Sequence, residues 1–207
     1  PYTTLFRSLV AVGWATGGGA AQVLFTLFGE KVFNRGAAGI GEIWGCAAVG
    51  LLGGGMLAHR YGLKLSFPSY KWAVSICYLI HGGAYVVFSQ MKYYPLALFF
   101  IGLSRAAVGF TSVLNMTLLL KHVSDQYRGR VFSTMETLAW ATMMLSMTAA
   151  GFASDFFSIR TIGALSGILS SMTALWWGWA HLTGRLPEPP AVGVQAGEIE
   201  VHGDPNV

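Results

Sequence analysis

The sequence predicts an all-α membrane protein with six transmembrane helices, on three observations. Hydrophobic residues make up 54% of the 207 positions and charged residues 11%, more apolar surface than a water-soluble core of this size can hide. The apolar residues gather in six runs, each near or above the roughly 20 residues that cross a bilayer. Charges collect in the short segments between those runs.

The first span, residues 9–28, carries no charge and includes Gly13, Gly17, Gly18 and Gly19, a small-residue face suited to close helix contact. Its apolar run is too long for a signal peptide, and similar runs follow it. The second span, residues 37–58, has glycines at 41, 45, 50 and 54, and this spacing predicts a stripe of close backbone approach. A charged loop at 59–68 with Arg60 and Lys64 leads to the third span, 69–90, with His81 near its middle. Tyr93 and Tyr94 follow as interfacial aromatics, and the fourth span runs over 94–120 with Arg105 as its one charge. The fifth span, 131–154, contains only Glu136. The sixth, 161–183, closes with Trp176, Trp177 and Trp179, read as an interfacial belt.

Between the fourth and fifth spans lies K-H-V-S-D-Q-Y-R-G-R-V-F, Lys121–Phe132, predicted to be a short loop. It is net basic, and such loops stay in the cytoplasm. The side it shares has Arg60, Lys64, Lys71, Lys121, Arg128, Arg130 and Arg185; the opposite side has Lys31, Arg35, Lys92 and Arg160. Seven against four orients the carboxy terminus to the cytoplasm. Residues 184–207, rich in Pro, Gly and acid, are expected to be a disordered cytoplasmic tail. Residues 1–8, P-Y-T-T-L-F-R-S, read as the translation of a sequencing adapter and are expected to be an artefact, the natural chain being cut near Leu9.

The same composition excludes several function classes. The basic residues sit in loops between spans, so a net charge of +4 reflects topology and not nucleic-acid binding. Cys46 and Cys77 lie inside separate apolar runs and support neither a disulfide framework nor a metal site. No G-x-x-x-x-G-K-[ST] nucleotide loop is present, and no cofactor is expected.

Arg105 is the first candidate for function. It lies 11 residues into its span, about 16 Å at 1.5 Å per residue. An unpaired charge at that depth costs about 3 kcal/mol or more, so it should face the bundle interior and have a partner. Glu42 is the carboxylate expected within reach. His81 is a candidate proton relay or an interhelical hydrogen bond. Asn115 and Glu136 are further candidates, Asn115 doubling as interhelical glue. Met143, Met144 and Met147 suit an adaptable pocket or plain helix contact.

Three segments carry a family resemblance. G-G-G-M-L-A-H-R-Y-G-L-K, Gly53–Lys64, resembles the major facilitator superfamily loop G-x-x-x-D-R-x-G-R-[RK] at Gly55, Arg60, Gly62 and Lys64, with His59 in place of the aspartate and Leu63 in place of a basic residue. V-S-D-Q-Y-R-G-R-V-F resembles the V-P-x-x-x-R-G-R-V segment between the fourth and fifth spans of such proteins, with Ser124 for proline. R-A-A-V-G, Arg105–Gly109, echoes an R-x-x-x-G pattern of proton-coupled exporters. The chain thus looks like the carboxy-terminal six-helix half of a twelve-helix transporter, built from two inverted three-helix repeats, and is similar to the branch of bacterial siderophore, macrolide and multidrug exporters.

That resemblance implies a secondary transporter of the inner membrane that exports a small amphipathic molecule against protons by alternating access, partnered by an amino-terminal six-helix half. It makes Arg105, Glu42, His81, Asn115 and Glu136 substrate or proton-coupling candidates. Gly55, Arg60, Gly62 and Lys64, with Asp125, Arg128, Gly129 and Arg130, become conformational-switch loops. The alternatives are a six-helix half working as a homodimer, and an intramembrane serine protease using Ser166, in A-L-S-G, with His81 or His181.

Overall fold

A computed structural model describes residues 2–123 and 125–185, so nearly all of the expected tail lies outside the described residues. The described residues form helices joined by short connections, with no strand among them: α1 Tyr2–Leu27, α2 Gly36–Tyr61, α3 Phe67–Gln90, α4 Tyr94–His122, α5 Asp125–Ala153 and α6 Ile159–Leu182. Residues 2–8 extend α1 and form no separate segment. Among the described residues three helices are long and apolar enough to cross a membrane: α2, α3 and α4 as far as Thr117. The sequence led us to expect six. α5 is the most polar helix, with Arg128, Arg130 and Glu136 in its first turns.

Local chemistry sets the helix ends. Asn34 and Gly36 take left-handed φ angles of 51° and 57°, which turn the chain between α1 and α2. Ser66 caps α3 through the Ser69 amide at 3.4 Å, and Ser158 caps α6 through the Thr161 amide at 3.1 Å. Gly184, at φ 68°, ends α6: its amide and that of Arg185 return to the His181 and Ala180 carbonyls at 3.2 and 2.9 Å, a Schellman closure.

The central cluster corrects the sequence reading. Most of Lys121–Phe132 is helical, with α4 reaching His122 and α5 starting at Asp125. Arg128 makes this possible. Its Nε donates to the Val123 carbonyl at 3.0 Å and its Nη2 to the Leu120 carbonyl at 2.6 Å, satisfying acceptors that the end of α4 leaves open. The loop at 59–68 is likewise shorter than expected, since α2 continues to Tyr61 and adds a 3₁₀ turn, Gly62–Lys64.

The most extensive helix pairings are α2 with α4, α3 with α6, α1 with α5, α3 with α4, and α1 with α6. Registers give their directions. Gly50 and Gly54 meet Gly102 and Ala106, so α2 and α4 run parallel. Gly82 meets Gly167 and Gly163 meets Ser89, so α3 and α6 run antiparallel. Exchanging α1, α2, α3 for α4, α5, α6 maps this set of pairings onto itself. The capping serines of α3 and α6 fall at equivalent places under the same exchange.

Close approach is confined to particular glycines. A Cβ on Gly54 would run into the Ala106 carbonyl, and one on Gly50 into that of Gly102. Gly41 and Gly45 have nothing within 4 Å, so only half of the predicted stripe packs. The spacing of five between Gly45 and Gly50 rotates the stripe off one face of a 3.6-residue helix. Trp177 is a second correction: it is buried and its indole N–H donates to the Lys71 carbonyl at 3.2 Å, while Trp176 and Trp179 are exposed. Adjacent residues diverge by about 100° around a helix, so the three rings cannot share one belt.

Two apolar clusters fill the bundle. One joins Leu24, Phe25, Phe28, Ile43, Tyr85, Phe88 and Ile101 at the end where α1 meets α2 and α3 meets α4. The other joins Tyr70, Val74, Tyr78, Leu114 and Trp177 at the opposite end. Gly54→Ala is expected to destabilise the bundle by about 1–3 kcal/mol through overpacking, whereas Gly41→Ala is neutral or slightly stabilising. Thermal unfolding of both variants in detergent checks this, and equal midpoints would refute the assigned contact.

Candidate functional site

Arg105 sits on α4 with 8% of its surface exposed, inside the bundle as its charge demands. The partner is not the expected one. The guanidinium lies over the Phe25 ring of α1, 4.8 Å from its centroid, a cation–π contact. Its Nη2 has no hydrogen-bond acceptor. Beside Phe25, on α3, Tyr85 is 2% exposed with its ring 6.2 Å from the phenylalanine, and its hydroxyl is also without a partner.

One helical turn before Tyr85, His81 is locked to the residue preceding Arg105. His81 Nδ1 is 2.8 Å from Ser104 Oγ, and Ser104 Oγ donates to the His81 carbonyl at 3.0 Å. With the hydroxyl hydrogen directed at that carbonyl, Nδ1 is the donor and carries the ring proton. His81 and Arg105, separate candidates in the sequence, therefore belong to one buried group together with Ser104, Tyr85 and Phe25.

The other candidates lie elsewhere. Glu42 is an exposed residue of α2, and its Oε2 is 3.3 Å from Arg35 Nε. Arg35 immediately precedes α2 and lies two turns from Glu42 on the same helix face; it also covers the Tyr94 ring at 4.5 Å. Glu42 is thus a surface ion-pair residue and not the Arg105 counter-charge. Asn115 accepts from Tyr70 Oη at 2.6 Å, tying α4 to α3. Glu136 accepts from Trp140 Nε1 at 3.1 Å along the exposed side of α5. Met143 is buried against α1, whereas Met144 is exposed.

In the switch-loop segments, Gly55 lies 3.1 Å from where a Cβ on Gly109 would be, and Gly62 is buried against Leu114. Arg60 and Lys64 are exposed, with Arg60 beside the Tyr61 ring at 6.0 Å. Arg128 caps α4, Gly129 has open space around it, and Arg130 is exposed. The side chains of Lys121 and Asp125 lie outside the described residues. Ser166 donates to the Ile162 carbonyl of its own helix at 2.8 Å. His81 engages Ser104 instead, and His181 stands edge-on to Trp72 at 5.4 Å.

The sequence reading missed Tyr85, Ser104 and Phe25. Tyr85 follows His81 by four and so shares its helix face, a signal that was available. Ser104 adjoins Arg105. Phe25 is one of many apolar residues in its run and has no local signal. Arg160 was also missed: it donates to the Ser89 and Met91 carbonyls, both at 2.9 Å, and caps α3.

Comparison of the chain with family models, curated proteins and solved structures finds no match.

Chemically, the group around Arg105 is a buried cation with free in-plane donors, one aromatic face and a neighbouring imidazole held in a fixed tautomer. It can bind an acceptor or take part in charge movement. Ser104→Ala would leave His81 Nδ1 with only the Ser104 carbonyl at 3.3 Å, and we expect a loss of about 1–2 kcal/mol. Glu42→Gln should leave the unfolding midpoint in place. Thermal denaturation in detergent compares the two, and a larger loss for Glu42→Gln would reverse the assignment.

Proposed function

We propose that this chain is one six-helix half of a membrane transporter of the major facilitator kind, which exports a small amphipathic molecule in exchange for protons. The observation that carries the reading is the self-mapping set of helix pairings. Neighbouring helices alternate in direction, so the exchange of α1–α3 for α4–α6 relates two units of opposite orientation. Inverted three-helix repeats of this kind are the building plan of transporters that alternate access around a midplane site.

Two further features support it. α2 buries only the narrow series Gly39, Ile43, Ala47, Gly54 and Ala58, leaving Val49, Leu52, Met56 and Leu57 exposed, and α5 exposes Leu138, Trp140, Met144 and Leu145. These helices are partners of α4 and α1 and lie outside the α3–α6 contact, as expected of elements that face a second half. Arg105 is an intramembrane cation near the middle of α4, and such residues mark substrate or proton pathways. In this reading the capped turn at Arg128 and the Gly55–Lys64 segment are the ends that rearrange as the halves rock, and the chain lies in the inner membrane with its carboxy terminus in the cytoplasm.

The test is transport by the full reading frame that encodes this chain, assayed in everted membrane vesicles with a panel of fluorescent amphipathic dyes. Dye accumulation should require a proton gradient and collapse with an uncoupler. Arg105→Lys should retain the folded protein and lose tenfold or more of the initial rate. Accumulation unaffected by the uncoupler would sink proton coupling, and an unchanged rate in Arg105→Lys would remove that residue from the mechanism. A reporter fused after Arg185 should be active only in its cytoplasmic form.

A further inference from the structure

We propose that Arg105 and Tyr85 form a binding site for one small monovalent anion, of halide or carboxylate chemistry, inside the helix bundle. A guanidinium stays charged in proteins, and a charge moved out of water without a counter-charge is costly. The described carboxylates do not answer it. Glu30, Glu42, Glu136 and Asp155 are all exposed, with Glu42 held by Arg35 and Glu136 by Trp140.

Phe25 stabilises one flat face of the guanidinium, but a cation–π contact leaves the N–H groups in the plane unused. Arg105 Nη2 is one of these. Tyr85 stands against the same Phe25 ring, with centroids 6.2 Å apart, and its hydroxyl is likewise unpartnered. The two atoms do not bond each other, although a phenol oxygen would accept from Nη2 if it were in contact. Two buried donors with no acceptor between them fit a group that accepts from both.

The surroundings set the charge and size of that group. His81 is bonded to Ser104, the residue before Arg105, so its Nδ1 is occupied by Ser104 Oγ and it supplies no negative charge. Phe25 and Phe88 pack against Tyr85 at 6.2 and 5.6 Å between ring centroids, and Phe28 belongs to the same apolar cluster. A divalent anion would leave net negative charge buried among these rings; a monovalent one neutralises Arg105. This inference does not depend on transport. It requires only that the bundle fold with Arg105 inside it.

The experiment is thermal unfolding of the whole chain in nanodiscs of zwitterionic lipid, at constant ionic strength, with a bulky organic sulfonate replaced stepwise by chloride and, separately, by formate. We expect a saturable rise in the midpoint, an apparent affinity about tenfold weaker in Tyr85→Phe, and no dependence in Arg105→Gln. A response to chloride identifies a resident counter-ion. A response to formate alone identifies the acid group of an organic ligand. Either supports the site. No saturable response to either salt overturns it, as does an equal affinity in Tyr85→Phe, which keeps the ring and remains decisive if Arg105→Gln does not fold.

Discussion

Three of the described helices are long and apolar enough to cross a membrane, and in lipid apolar side chains gain little by facing one another, because the hydrocarbon around them is equally apolar. Helices must therefore associate through close backbone approach and through polar atoms. The bundle uses both. Gly50, Gly54 and Gly109 bring α2 and α4 together, Gly82, Gly163 and Gly167 bring α3 and α6 together, and Gly17 and Gly19 let α1 reach α6 and α5. Hydrogen bonds then fix the register: His81 with Ser104 and Tyr70 with Asn115 join α3 to α4, while Ser146 is wedged between the Thr16 carbonyl and the Ala20 amide to join α5 to α1.

Arginines close the ends that glycines cannot. At a helix C-terminus four carbonyls lack intrahelical partners, and near a membrane surface water reaches them only in part. Arg128 answers this need for α4 from the next helix in the chain, and Arg160 answers it for α3 from α6. Both side chains thus serve as helix caps. A basic residue in such a turn therefore has a capping role to fill, and that role favours Arg, whose fork reaches two carbonyls at once.

Much of this was legible because membrane helices are written in runs. The helices follow from the apolar stretches, although α2 continues past Arg60 and α4 past Lys121 before ending, and the interior placement of Arg105 follows from its depth. What was not legible depends on rotation. A count along the chain gives the depth of Glu42 but not the side of α2 on which it lies, and that side faces Arg35. It gives the series Gly41, Gly45, Gly50 and Gly54 in α2 but not that Gly50 and Gly54 are the members that meet α4. It gives three tryptophans in α6 but not that Trp177 turns inward to the Lys71 carbonyl. The central cluster was misread for another reason: charge density suggests a loop, yet Arg128 spends its charge on capping and lets the two helices nearly meet.

The polarity of α5 follows from the same reasoning. A helix surrounded by lipid has no reason to retain Glu136 and a series of hydroxyls at Ser133, Thr134, Thr137 and Thr142, each bonded back to its own backbone. Back-bonding satisfies the hydroxyl without a neighbour, so these residues can tolerate either water or protein beside them. α5 packs on α1 with the opposite side of its second half, through Met143, Ser146 and Ala150. Its first half is left with an exposed, mixed surface. In a membrane that surface is compatible with a wet cavity or a second bundle and poorly matched to acyl chains. This is the physical ground for placing α5 at the boundary of the bundle and α3 and α6, joined by close glycine contacts and hydrogen bonds, at its support.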